Sequence, residues 1–557
     1  MLSYRKLAMR VLGRPLHTGG GIDSPRPASQ RAAAFILTAA MLTTFTAPAF
    51  AKTWYIENGD ITISAGKTEG TNKVSQGSTT DEEDTDTVIT NNNRDTASSH
   101  TVTIDAGNDK VEVTLKDVNI KADSGSALTS NGDVTLTLKG ENHLTGGNGD
   151  IYGGDGITSS GSLTISGGTV TATGGNNTGS DGSGGSGIYS VSGSVTISGG
   201  TVNANGGEGS KNNSTSGGSG IYSDSGDVTI SGGTVNANGG NGGTISGGDG
   251  ICSSGGVTIS SGSTVTANGG SGEDGSGGRG ITSNGGVTVS GGTVNAKGGS
   301  GKNGNGGDGI LSFNPVAISG GTVKSNGGSG TISGGDGIRS LDHVAISGGT
   351  VKSNGGSGNL SGGNGIISYD IDLSGSLELT AKAGSPNGKA LSRAGKELDL
   401  NTIKDKLGPG AKVTVTDANG KVNQVSIPRP VEPEEPVIPE ESSSSSDGGS
   451  ATSSAPASPF PGLTVTDKDG QRISYTSTQS GNTLTVCVGR FTASFRISLA
   501  TLRQLRAEGI DTITFQTILC STTLSVDELL AMGGEDTEVV LTHHIRSSTL
   551  TVGGKAV

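Results

Sequence analysis

Residues 217–240 read GGSGIYSDSGDVTISGGTVNANGG, and this stretch decides the fold because close variants of it recur along the middle of the chain. Each copy holds three short segments of β-branched and small residues, separated by glycines. The dipeptide Thr-Val marks the copies, which follow one another every 28 to 33 residues, at Thr169, Thr201, Thr234, Thr264, Thr293, Thr322 and Thr350. A period of this length indicates a repeat architecture in which each unit stacks on the next.

Side chains alternate between the two sides of a β-strand, and this rule separates aliphatic from polar residues within 217–240. The aliphatic set is Ile221, Val228, Ile230, Val235 and Ala237, and the polar set is Thr229, Thr234, Asn236 and Asn238. The many glycines disfavour helices. We therefore predict a mainly β fold, a right-handed parallel β-helix with three strands per turn and an aliphatic core. Counting the less regular segments 111–120, 133–144 and 367–384, we expect about ten turns, stacked ~4.8 Å apart.

Changes in composition divide the 557 residues into four parts. We predict a leader at 1–51 and the β-helix with its caps at 52–427. Residues 428–462 are rich in Pro, Glu and Ser, a composition typical of a disordered linker. Residues 463–557 predict a small α+β domain of unassigned function. Within this domain, Ser498 and Ser525 are the predicted N-caps of two short helices.

The leader has the pattern of a signal peptide. The apolar run AAAFILTAAML spans residues 32–42, follows Arg26 and Arg31, and precedes the small-x-small site Ala49-Phe50-Ala51. A membrane anchor is the alternative, but the run is short for a transmembrane span. We therefore expect a secreted, extracellular or cell-surface-associated protein with no transmembrane span.

Charge and cysteine content narrow the classes of partner. The chain carries 38 basic and 51 acidic residues, a net charge of −13, and no basic patch with interleaved aromatic residues. This pattern disfavours nucleic-acid binding. The three cysteines form no disulfide framework and no metal-binding motif. Cys487 and Cys520 lie in one C-terminal segment, where they could form a disulfide or remain free thiols.

Four segments together resemble a known group of proteins. They are WYI…GDITIS (54–64), VTLKDVNI (113–120), VTLTLKGENHLTGG (134–147) and GSLTISGGTVTATGG (161–175). The chain resembles the secreted "carbohydrate-binding domain" β-helix proteins of Firmicutes, which are similar in shape to pectate-lyase-type β-helices. The resemblance covers about residues 53–384. It implies polysaccharide binding, with calcium as a possible aid, and no catalysis.

The outward side chains of the repeats supply the candidate carbohydrate-binding residues. Hydroxyl and amide groups in register offer paired donors and acceptors to sugar hydroxyls, and two tyrosines align in adjacent turns. These candidates are Tyr189, Tyr222, Thr201, Asn203, Thr234 and Asn236. A flat threonine array also suggests ice binding, but Lys297, Lys324 and Lys352 interrupt it.

Asp308 and Asp336 are the candidate metal ligands. They occupy one position of two consecutive repeats, so a parallel β-helix stacks them about 5 Å apart. Two carboxylates at that distance repel each other unless a cation lies between them, and calcium accepts carboxylate and carbonyl oxygens. The alternative is that these aspartates hydrogen-bond the backbone of a turn. No cofactor is established by the sequence, and calcium is the one it suggests.

No constellation of residues indicates a catalytic centre, so the preferred function is polysaccharide binding or surface adhesion, as in an adhesin. The first alternative is a calcium-dependent, pectate-lyase-like polysaccharide lyase, which needs a base beside a cation-bound uronate. The second is a structural spacer that presents the C-terminal domain.

Overall fold

This computed structural model describes residues 51–211, 213–428, 462–467, 471–473, 475–480, 482–488, 490, 492–517, 521–534, 537–543, 548–553 and 555–556. The predicted leader and linker lie outside these residues apart from Ala51, Pro428 and Gly462, and so does Cys520. The chain divides into two compact units between Pro433 and Glu434. No helix among the described residues is long and apolar enough to cross a membrane.

The first unit is a parallel β-helix of about 13 turns. The strands of successive turns pair in register and form three faces. The first face contains Ile61–Ala65, the start of Val102–Lys116, the start of Leu128–Thr145, Ile157–Ser159, Ile188–Ser190, Ile221–Ser223, Ile251–Ser253, Ile281–Ser283, Ile310–Ser312, Ile338–Ser340, Ile366–Ser368 and Leu391–Arg393.

The second and third faces follow in each turn. The second face contains Thr53–Tyr55, Val88–Thr90, the later parts of Val102–Lys116 and Leu128–Thr145, the start of Leu163–Thr173, Val195–Ile197, Val228–Ile230, Val257–Ile259, Val287–Val289, Val316–Ile318, His343–Ile346 and Asp370–Leu373. The third face contains Asn119–Lys121, the ends of Leu128–Thr145 and Leu163–Thr173, Thr201–Asn205, Gly233–Asn238, Ser263–Asn268, Thr293–Lys297, Thr322–Asn326, Thr350–Asn354, Glu378–Lys382 and Lys412–Thr416.

The expectation of about ten turns was too low, because segments at both ends that look irregular in sequence continue the same pairing. At the start, Thr53–Tyr55 pairs in parallel with Val88–Thr90, which pairs with Val102–Lys116. At the end, Lys412–Thr416 adds a further strand to the third face. The strand Val422–Ser426 pairs antiparallel with Lys412–Thr416 at this end of the stack. The 3-10 helix Leu400–Lys406 precedes Lys412–Thr416 in the chain.

Smaller elements complete the first unit. A hairpin of Asn72–Gln76 and Thr79–Asp84 pairs antiparallel with Ile61–Ala65. Asp181–Ser183 pairs with Ser214–Ser216, the short strand Lys396–Glu397 pairs with Leu391–Arg393, and a 3-10 helix spans Ile56–Asn58.

The core is the predicted aliphatic column. Ile221, Val228, Ile230, Val235 and Ala237 are all fully buried, and their counterparts pair in register above and below. Each deeply buried aliphatic side chain contributes about 1.5–3 kcal/mol, so the repeated inward positions stabilise the stack without large aromatic residues.

Glycine pairs form a second column of aligned residues. In the sequence these glycines appear only as separators between the strand segments. Each turn leaves the third face through one Gly-Gly pair and returns to the first face through another. Gly248 donates to the carbonyl of Gly240 at 2.9 Å, and Gly270 donates to that of Gly248 at 2.8 Å. A Cβ at Gly240 would lie 2.0 Å from the carbonyl oxygen of Gly207. The backbones of successive turns therefore approach too closely at this position for any side chain.

The described residues of the second unit form two sheets and two helices. One sheet orders its antiparallel strands as Leu463–Thr466, Ala493–Ser498, Glu538–His543, Ser548–Val552 and Lys555–Ala556. The other orders Thr476–Ser480, Thr483–Cys487, Thr512–Gln516 and Ser521–Ser525, with a parallel central pair. The helices are Leu499–Ala507 and Val526–Leu530, and the hydroxyls of Ser498 and Ser525 cap them as predicted.

Candidate functional site

The outer side of the third face carries hydroxyl and amide groups in register. Thr201 pairs with Thr234, and Asn203 pairs with Asn236. The Nδ2 of Asn236 donates to Oδ1 of Asn203 at 2.8 Å. Similar ladder bonds join other asparagines of this face, from Asn238 to Asn205, from Asn268 to Asn238 and from Asn354 to Asn326.

These ladder bonds leave hydrogen-bonding capacity at the surface. An amide has two donor hydrogens and an oxygen with two lone pairs, and each ladder bond uses one donor and one acceptor site. Asn203 and Asn236 are half-buried, as are Thr201 and Thr234, so their remaining groups reach solvent. We name this surface the polar ladder, defined by the outward residues of strands Leu163–Thr173 to Thr350–Asn354.

The predicted tyrosine pair lies on a different face. Tyr189 and Tyr222 pair in register on the first face, with ring centroids 5.2 Å apart and an interplanar angle of 13°. The hydroxyl of Tyr222 donates to Oδ1 of Asp224 at 2.8 Å. Burial raises the pKa of both phenols, and the charge of Asp224 adds to this effect.

Stacking limits what the tyrosines can do. Each ring covers one face of the other, so neither of these two faces is available to a sugar ring. The structure brings Thr201, Asn203, Thr234 and Asn236 together on the third face, but it does not add the tyrosines to them. The six candidate residues therefore form two separate groups.

Asp308 and Asp336 are stacked as expected, but each carboxylate is already hydrogen-bonded. The Oδ1 of Asp308 accepts the backbone N–H of Asp336 at 2.7 Å. The Oδ1 of Asp336 in turn accepts the backbone N–H of Asn364 at 2.6 Å and its Nδ2 at 2.8 Å. Asp155 and Asp249 bond the next turn in the same way, so each aspartate of the column ties its own turn to the next one.

Burial dominates the electrostatics of this pair. Desolvation, with the nearby charge of Asp336, raises the pKa of Asp308 to about 6. Desolvation also raises the pKa of Asp336. The Nη1 of Arg339 lies 3.5 Å from Oδ2 of Asp336 and supplies a partial counter-charge.

The residues around this pair are a poor match to a calcium site. Calcium takes six to eight oxygen ligands. Within the described ranges, no three His, Cys, Asp or Glu side chains are grouped closely enough to hold a metal ion. Both Oδ1 atoms already accept N–H groups, and Arg339 lies beside the free oxygen of Asp336. Calcium at Asp308 and Asp336 stays a prediction.

Two open clefts are polar and show no arrangement of a nucleophile and a base. One, of about 860 Å³, lies between residues 65–72 and 109–114. Its Lys110 is engaged by Glu112 at 2.8 Å. The other, of about 390 Å³, is lined by the loops that the glycine pairs enclose, with Glu273 pairing with Lys302.

The sequence analysis missed a group of exposed apolar residues at the corner after the first face. Phe313, Leu341 and Tyr369 each follow a first-face strand in three consecutive turns, and their side chains are 48%, 39% and 73% exposed. The available signal was the departure from the repeat, because this position in the five preceding turns is polar in four, at Ser160, Asp224, Ser254 and Asn284, and apolar only at Val191.

Comparisons with protein-family models, with curated proteins and with solved structures find no match for this chain.

Proposed function

We propose that this protein is an exported or surface-associated polysaccharide-binding or adhesion protein without a catalytic centre. The observation that supports the proposal best is the polar ladder, in which threonines and asparagines repeat in register on the outside of a stack of strands. The signal-like leader and the resemblance to secreted carbohydrate-binding β-helix proteins support the same proposal.

The chemistry of the ladder suits a polyhydroxylated polymer. Sugar hydroxyls both donate and accept hydrogen bonds, as do the threonine hydroxyls and asparagine amides. The ladder repeats once per turn, at about 4.8 Å, so a chain lying along the stack meets a similar set of groups at successive turns, apart from Lys297, Lys324 and Lys352. Many weak contacts of this kind add up in avidity when they are held on one rigid surface.

The first test is retention of the purified protein on insoluble cellulose, pectin and cell-wall material, with calcium and with a chelator. We expect the protein to be retained on at least one polymer. The double variant Thr201→Lys/Thr234→Lys places two long charged side chains on the ladder. It should weaken binding about tenfold, which corresponds to about 1.4 kcal/mol.

A matched control uses the same turns and the same substitution. Thr196 and Thr229 pair in register on the second face and have similar exposure. Thr196→Lys/Thr229→Lys should bind as the unchanged protein does. Failure of the unchanged protein to bind any of the polymers would refute the proposed function and favour the structural spacer.

A further inference from the structure

Phe313, Leu341 and Tyr369 form an exposed apolar strip along the corner between the first and second faces, which we name the corner strip. The backbone sets its spacing. The N–H of Phe313 donates to the carbonyl of Ser283 at 2.9 Å, and that of Leu341 donates to Ser312 at 2.9 Å. Phe313 and Leu341 are therefore about 4.8 Å apart along the stack, and Tyr369 follows in the next turn, where the corner is one residue shorter.

The local fold turns these side chains outward. Each follows a serine that ends a first-face strand and points into the core, with Ser312 fully buried and Ser340 and Ser368 nearly so. The next residue at the corner then points to solvent. Leu311, in the same turn as Phe313, also lies on the outer side of the first face but is only 4% exposed because neighbouring residues cover it. It adds one more apolar side chain next to the strip.

The charged groups beside the strip occur in opposite pairs. Arg393 and Asp370 are 2.7 Å apart, and Arg339 lies 3.5 Å from Asp336. His343 lies 3.4 Å from Asp342 and offsets its charge only when it is protonated. The two arginine–aspartate pairs cancel, so the strip carries no net positive charge. They also place donors and acceptors at the edge of an apolar surface.

We infer that the corner strip is a stacking surface for the sugar rings of a neutral polysaccharide. This inference rests on the proposed function and assigns the ligand class. The C–H groups of a pyranose ring form an apolar face that packs on exposed aromatic rings, while its hydroxyls reach polar groups at the edge. The strip offers no net positive charge that would attract an anionic polymer, so a neutral polymer is the better match.

A second copy of the chain is a weaker occupant. A stable protein–protein interface buries about 800 Å² on each partner. Three partly exposed side chains in a single line supply only a fraction of that area. Isolated exposed apolar groups in a line, with polar groups beside them, match a narrow polymer better than a broad protein surface.

The test uses the full chain with the double variant Phe313→Ala/Tyr369→Ala. We expect its affinity for cellulose, a neutral polymer, to fall at least about tenfold, because both exposed rings are removed. The matched control is Ile151→Ala/Tyr152→Ala, which removes two other exposed residues, 60% and 71% accessible, from a loop of the same unit. The control should bind as the unchanged protein does. Unfolding followed by Trp54 fluorescence should be the same for all three proteins.

The outcomes separate this inference from the proposed function. Equal cellulose binding by the unchanged protein and by Phe313→Ala/Tyr369→Ala would overturn the strip but leave polysaccharide binding intact. Binding to polygalacturonate alone would overturn the assignment to a neutral polymer. Sedimentation of the unchanged protein as a dimer that the double variant abolishes would assign the strip to self-association. Retention on no polymer would refute both proposals.

Discussion

Asp308 makes the folded protein sensitive to pH, and replacing it with asparagine should stabilise the β-helix at neutral pH. The carboxyl is 9% exposed, lies next to Asp336 and has its pKa raised from 3.8 to about 6, chiefly by burial. Arg339 and Arg279 lower this pKa only in part. Well below pH 3.8 the carboxyl is protonated in both the folded and the unfolded states, so it makes no difference to stability. Between pH 3.8 and about 6 the unfolded state releases this proton while the folded state keeps it, so the folded protein loses stability until the buried carboxyl also ionises.

The size of the effect follows from the pKa difference. At about 1.4 kcal/mol for each pH unit between the two pKa values, ionised Asp308 costs the folded state about 3 kcal/mol. Asparagine removes this charge and keeps an oxygen that accepts the N–H of Asp336. The column already tolerates that residue, because Oδ1 of Asn364 accepts the N–H of Lys389 at 3.0 Å. Asp308→Asn should therefore raise the free energy of unfolding by up to about 3 kcal/mol at pH 7.5 and change it little at pH 4.

Urea unfolding at the two pH values measures this difference. Trp54, the only tryptophan, is 3% exposed in the β-helix and donates to Oδ2 of Asp84 at 2.8 Å, so its fluorescence reports the unfolding of this unit. Asp227→Asn is the control, because the Oδ1 of this exposed aspartate also accepts an N–H of the next turn, from Gly256 at 2.7 Å. A destabilised Asp308→Asn at pH 7.5 would refute the reasoning. If added calcium stabilised the unchanged protein but not the variant, the two carboxylates would bind the cation.

Two further predictions concern the stack itself, and both are measured by urea unfolding with Trp54 fluorescence. Gly207→Ala should destabilise the β-helix by about 3 kcal/mol or more, because its Cβ would lie 2.0 Å from the carbonyl oxygen of Gly175. Gly199→Ala, with nothing within 4 Å of the new Cβ, should have little effect, and equal losses for the two would contradict the close approach. Ile230→Ala should cost about 2–5 kcal/mol because the side chain is fully buried, whereas Thr229→Ala should change stability by less than about 0.5 kcal/mol. A loss at Thr229 as large as at Ile230 would contradict the assignment of inward and outward sides.

The inward aliphatic residues could be predicted because strand alternation and the repeat act together. One copy of the repeat leaves the orientation of Ile230 open, but a register kept over many turns requires one side to stay aliphatic. The prediction identified all five inward aliphatic side chains of residues 217–240. The number of turns was underestimated because the outer turns, such as Thr53–Tyr55, have diverged in sequence while keeping the same pairing.

The glycine column could not be recognised from a single copy. A glycine required by a turn and a glycine required by close approach of another turn look alike in sequence. Only the structure shows that Gly240 and Gly248 belong to one hydrogen-bonded column and that a Cβ would meet a backbone oxygen. The aspartates show the same limitation. Sequence alone placed Asp308 above Asp336, but the N–H that Asp308 accepts belongs to the backbone of the next turn.

The corner strip shows where a repeat protein carries its specific information. The residues that most repeats share are those needed for one turn to pack on the next, because every turn must present the same inward residues to its neighbours. An outward corner position has no such requirement, and most turns place a small or polar residue there. When three consecutive turns place Phe313, Leu341 and Tyr369 at this position, stacking does not explain the change. Because exposed aromatic surface is unfavourable in water, these residues are the ones that we propose to contact a ligand. The proposed contact therefore lies where the sequence departs from the repeat, not where it follows the repeat.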